Sequence, residues 1–166
     1  MVKRNKFLAS VILILLVAML IFIFSNSLEP VAKSKAKSMS VMEQIKPILE
    51  LFIGEGNITD HIVRKIAHFL EYTTLGIAVM LFAILRSRTN IQSVVNCLSF
   101  GLASAVTDES LQMLTDRGPM VKDVLLDFSG VLIGVFFVFV INLIAVSLRK
   151  NRNKEYSCEY FSKRNT

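Results

Sequence analysis

A chain of 166 residues suits one domain, and 53% of it is hydrophobic, with a mean hydropathy of +0.55. No soluble domain of that size hides so much apolar surface, and the apolar residues gather in long runs, which excludes an ordinary soluble enzyme in favour of membrane spans. Charged residues make up 19%, below the roughly 25% of soluble domains, and the cations behind the net charge of +6 flank the apolar runs, so they point to orientation and anionic lipid rather than nucleic acid.

The first predicted span is 7–24, eighteen residues without a charge, preceded by Lys3, Arg4 and Lys6. Ser25 and Ser27 sit at a cleavage-like spacing, but the run exceeds the roughly 7–15 residues of a signal peptide's apolar core, so an uncleaved anchor is expected. In the mixed segment 25–65, Val41, Ile45, Ile48, Leu49 and Phe52 recur at helical spacing, with Glu43, Lys46 and Glu50 mostly between them. That pattern predicts a short amphipathic helix lying on the membrane or capping the bundle, bent or weakened at Pro47. Gly54 to Asn57 marks a break.

The second span, about 66–85, holds His68, Glu71 and Tyr72 in its first two turns, and Arg86 and Arg88 follow in a tight connection. The third, about 91–113, holds Asp108, Glu109 and Gln112 in its last two turns, before a turn at Arg117-Gly118-Pro119. The fourth, about 123–146, begins with Asp123 and Asp127. The expected fold is therefore all-α: a four-helix transmembrane bundle with a short amphipathic helix in the first extracytoplasmic loop. Residues 1–148 form the membrane domain and 149–166 a basic cytoplasmic tail. Cys97 and Cys158 fall in a span and in the tail, and neither a disulfide nor a cysteine metal site is expected.

Four spans put both termini on one side. Eleven Lys and Arg residues fall on the terminal side and eight on the other, which favours cytoplasmic termini. The same topology brings the ionisable residues of spans two, three and four to one membrane level. Within each helix they share a face: His68, Glu71 and Tyr72 by steps of three and four, with His61, Arg64 and Lys65 extending the stripe; Asp108 and Gln112, with Glu109 beside them; Asp123 and Asp127, continued by Gly130 and Gly134. The two glycines make a small-xxx-small pattern that permits close helix contact.

A carboxylate in a span costs roughly 2.5–3.5 kcal/mol at the helix centre on insertion scales, so such residues face the bundle and pair. One reading is an interhelical clasp in which Arg64, Lys65, His68 or Arg117 balances Glu71, Asp108, Glu109 and Asp127. The other is a site for a cation, a lipid headgroup or a polar ligand. Glu71, Asp108, Glu109 and Asp127 are the candidate ligands of a divalent metal, and their oxygens favour Mg²⁺, Ca²⁺ or Mn²⁺ over zinc. No HExxH or comparable spacing supports a hydrolytic zinc site, and Ser104 and Ser110 lack the context of a nucleophile. Four spans without a broken-helix repeat leave little room for a transporter.

Two blocks carry a family resemblance. Arg64-Lys65-Ile66-Ala67-His68-Phe69-Leu70-Glu71-Tyr72, followed by Leu75-Gly76, resembles the second-helix motif of VanZ-like membrane proteins. Asp108-Glu109-Ser110-Leu111-Gln112, then Arg117-Gly118, Asp123, Asp127 and Gly130, resembles their third and fourth helix motif. The likeness covers roughly 25–134, and it departs at Asp127, where many members carry Asn. It implies a small four-helix protein of the bacterial cytoplasmic membrane, in a family whose named member is associated with low-level resistance to teicoplanin, a lipid-tailed glycopeptide. Three functions follow. The first is an envelope protein whose outward polar cluster binds a lipid-linked cell-wall precursor or lipoglycopeptide among membrane lipids. The second is an intramembrane, cation-dependent enzyme acting on a lipid headgroup, with His68 or Glu71 as general acid or base. The third is a structural or partner-binding module.

Overall fold

Away from water, a backbone satisfies its polar groups within its own segment by coiling into a helix. The computed structural model describes residues 2–53, 59–86, 90–115 and 120–164, and these are helical almost throughout. The helices are α1 (Val2–Ser27), α2 (Val31–Ile53), α3 (Asp60–Arg86), α4 (Ile91–Gln112) and α5 (Val121–Arg164), with a 3₁₀ turn at Met113–Thr115 after α4. No strand occurs among the described residues. The expected break at 54–57, the connection at Arg88 and the turn at 117–119 lie outside the described residues.

Local chemistry sets the helix starts. Thr59 caps α3, its hydroxyl accepting from the Ile62 amide at 3.3 Å, and Asn90 caps α4, its side chain accepting from the Ser93 amide at 2.9 Å. The Pro30 carbonyl accepts from the Lys33 and Ser34 amides, which opens α2. Here the structure corrects the expected short loop helix. It runs 23 residues and passes through Pro47. Its first turns, rich in Lys, Ser and Ala, carry no apolar period to betray them. Val41 is exposed, and the rest of the expected stripe, Ile45, Ile48, Leu49 and Phe52, lies outside the described side chains.

Three helices are long and apolar enough to cross a membrane: α1 over Lys6–Ser27, α3, and α5 over Val121–Arg152. The fourth expected span, α4, is not among them, because Gln92, Asn96, Thr107, Asp108 and Glu109 lower its hydropathy. The tail from Arg149, read from sequence as a separate polar stretch, continues α5 as helix to Arg164.

The bundle is built on α3 against α5, with α4 and α1 packed along them and α2 resting on α3. In α1 the buried residues are Ala9, Leu16, Ile23 and Ser27, while Phe7, Ile14 and Ile21 are exposed on the other side. In α5, Val131, Val135 and Val138 join a core with Tyr72, Leu75 and Met80 of α3 and Val94, Cys97 and Ala105 of α4. The outer face of α5 shows Ile133, Phe136, Phe137, Val140 and Ile141. A contiguous apolar exterior of this kind has lipid as its natural solvent.

The α3–α5 seam depends on absent side chains. A Cβ added at Gly130 would lie 2.6 Å from the Phe69 carbonyl oxygen, and one at Gly134 would collide with the Thr73 carbonyl oxygen and sit 2.8 Å from the Ile77 nitrogen. From the other side, a Cβ at Gly76 would lie 2.5 Å from the Val131 carbonyl oxygen. The two backbones meet with nothing between them, the small-residue packing that lets helices associate in lipid.

Candidate functional site

Close backbone contact at one end of α3 and α5 draws their polar turns together, and α4 brings its last turn to the same place. Asp108 is fully enclosed and Asp127 is 2% exposed. His68 Nδ1 stands 3.8 Å from Asp108 Oδ2 and 4.0 Å from Asp127 Oδ1. One ligand atom from each of these three residues falls within 4.8 Å of the others, so the group has the residue types and the proximity of a metal site.

Asp108 is held on two sides. Ser27, the last residue of α1, donates its hydroxyl to Asp108 Oδ1 at 2.5 Å, and Gln112, one turn further along α4, donates to Oδ2 at 3.1 Å. Tyr72 is fully buried behind it, its hydroxyl donating to the Ser104 carbonyl at 3.2 Å. Glu109 turns to the chain before α5, where its Oε1 accepts from the Met120 amide at 2.6 Å. A carboxylate at the start of a helix is favoured by the helix dipole.

Above this acidic floor is a basic rim. His61, Arg64, Lys65 and His68 form a stripe on α3 and line a cavity of about 200 Å³ with Gln112, Met120, Asp123, Leu126 and Asp127. Lys65 Nζ pairs with Asp123 Oδ1 at 3.0 Å, and Arg64 with Asp60 at 3.5 Å. Both pairs are partly exposed, the kind of contact worth about 0–1 kcal/mol and readily exchanged for another anion. Glu71 points the other way. The Asn26 side chain hydrogen-bonds it, and both line a second cavity of about 160 Å³ between α1, α2 and α3. On the rim of that second cavity Glu29 accepts from Lys37 Nζ at 2.6 Å and pairs with Lys33 at 3.2 Å. The Lys37 hydrogen bond holds the Glu29 carboxyl below the usual carboxylate range.

The structure therefore gathers His68, Asp108, Gln112 and Asp127 at one point, with Arg64, Lys65 and Asp123 on the rim. It places Glu71 and Glu109 beside that point with other partners, and Arg117 lies outside the described residues. A model of the family described as VanZ/LLP1 matches residues 10–142. The chain belongs to the VanZ/LLP1 family. The match takes in most of α1, all of α2, α3 and α4, and α5 as far as Asn142, and so every residue of this VanZ/LLP1 site. No curated protein and no solved structure matches the chain.

Two contributors escape sequence reasoning. Asn26 and Ser27 come from α1, a helix whose span holds no charge to draw the eye. Ser25 and Ser27 also imitate a cleavage site. The one signal for them is position: α1 ends in Ser-Asn-Ser at the level where the other helices turn ionisable.

Proposed function

We propose that this VanZ/LLP1 protein is a four-pass protein of the bacterial cytoplasmic membrane, termini inside, whose outward-facing cavity binds the polar headgroup of a lipid-linked or lipid-tailed ligand. The cavity carries the reading. It opens at one end of an apolar bundle, with cationic side chains at the rim and fixed polar groups below, which suits an anionic headgroup whose tails stay in the adjoining lipid. The fourth pass rests on α4. Its 22 residues extend about 33 Å, the thickness of the hydrocarbon. Its polar residues Ser104, Asp108 and Glu109 are buried inward, while Val95, Phe100, Leu102 and Val106 face out. Burial of Asp108 and Glu109 accounts for part of the lowered hydropathy of α4, while Gln92, Asn96 and Thr107 lower it from the exposed side.

The test is binding by the purified protein in nanodiscs, with a polyprenyl-pyrophosphate-linked saccharide and teicoplanin as separate probes. Saturable binding is expected, weakened about tenfold by Lys65→Ala or Arg64→Ala, since loss of one charged contact is worth about 1.5 kcal/mol. A deletion strain should bind more teicoplanin at its surface and become more sensitive to it. Absence of binding to either probe, together with unchanged sensitivity, would overturn the headgroup reading.

A further inference from the structure

We infer that His68, Asp108 and Asp127 form a binding site for one divalent transition-metal cation at the floor of the cavity. Acidic residues alone do not make a site, and here a separate observation points to a ligand. Asp127 is 2% exposed, lines the cavity, and its Oδ1 is enclosed without a hydrogen-bond partner. A buried carboxylate oxygen left so is costly, and a bound cation removes the cost.

The geometry fits with small movement. Ligands at about 2.1 Å from an ion stand about 3.0–3.4 Å apart in octahedral or tetrahedral sites. The observed spacings of 3.8 and 4.0 Å from His68 Nδ1 close to that by side-chain shifts under about 1 Å. The surroundings also resemble those of metal sites. Asp108 is oriented by Ser27 and Gln112, hydrogen bonds of the kind that fix a ligating carboxylate and tune its affinity. On the rim, Lys65 pairs with Asp123 and Arg64 with Asp60. One imidazole with two carboxylates selects Mn²⁺ or Zn²⁺ over Ca²⁺, which prefers six to eight oxygens. Three protein ligands leave the remaining positions open toward the cavity.

The competing account is a protonated His68 bridging two carboxylates. The test uses metal alone, so it stands apart from the headgroup reading: either can fail while the other holds. Purified protein in nanodiscs, stripped with chelator, is titrated with Mn²⁺ and followed by loss of the free-ion paramagnetic signal, then displaced with Zn²⁺. One equivalent per chain is expected. Asp127→Asn and His68→Gln should each weaken binding at least tenfold, Ser27→Ala about tenfold, and the exposed Glu43→Gln not at all. Thermal stability of the wild type should rise with metal and that of Asp127→Asn should not. If Asp127→Asn fails to fold, His68→Gln and the wild-type titration decide. No saturable uptake by the wild type, or uptake undiminished in the folded variants, overturns the proposal.

Discussion

Ser27 donates its hydroxyl to a carboxylate that solvent does not reach. A hydrogen bond to a charged group contributes about 1.5–3 kcal/mol, and a buried acceptor left without its donor bears the desolvation cost in full. Ser27→Ala should therefore lower thermal stability in detergent by an amount in that range, and Ser27→Thr should restore most of it. Equal loss in both variants would mean that packing, and not the hydroxyl, matters at this position. The residue shows where sequence reading ends at this scale. His68, Asp108 and Asp127 are legible because an ionisable group in an apolar run is expensive and must have a use. Ser27 costs nothing at the end of a span, so nothing marks it until the fold carries α1 across to α4, 81 positions away in the chain.

Helix pairs are governed by what their faces lack. Gly134 meets the α3 backbone at Thr73 and Ile77, which cannot give way as a flexible side chain can. Gly134→Ala should force the α3–α5 pair apart at a cost of about 1–3 kcal/mol, seen as a lower unfolding midpoint and weakened metal or headgroup binding. Phe137→Ala, on the lipid-facing side of the same helix, should change the midpoint by about 0.5 kcal/mol or less. A reversed order would show that the seam lies elsewhere. The glycine spacing announced this contact, since small residues four apart have few other uses in a span. The extent of α2 was not announced. Its lysine- and serine-rich half has no apolar stripe; there Lys33 and Lys37, one and two turns on, both pair with Glu29.

Topology is a matter of parity. If α1, α3, α4 and α5 all cross, the two termini share a side; if α4 does not, they lie on opposite sides. A fluorescent-protein fusion after Arg164 should be bright and an alkaline phosphatase fusion there inactive, as four crossings from a cytoplasmic N-terminus require. With a matching fusion placing the N-terminus inside, the reverse pair of results would reduce the passes to three. The bundle's outline was legible from hydropathy because the exposed helix faces are mostly apolar. The status of α4 was harder to read, because polar residues on both its faces, Asp108 and Glu109 inside and Gln92, Asn96 and Thr107 outside, lower the average. α5 has a further consequence. At 44 residues it is about 66 Å long, against about 30 Å of hydrocarbon. One end supplies Asp123 and Asp127 to the cavity, and the other runs twelve residues past the apolar stretch that ends at Arg152. Such a rod is a lever. A tilt of about 10° at the cavity end would swing Arg164 through about 11 Å for a rod of that length, so movement at the cavity is magnified at the far end of the helix.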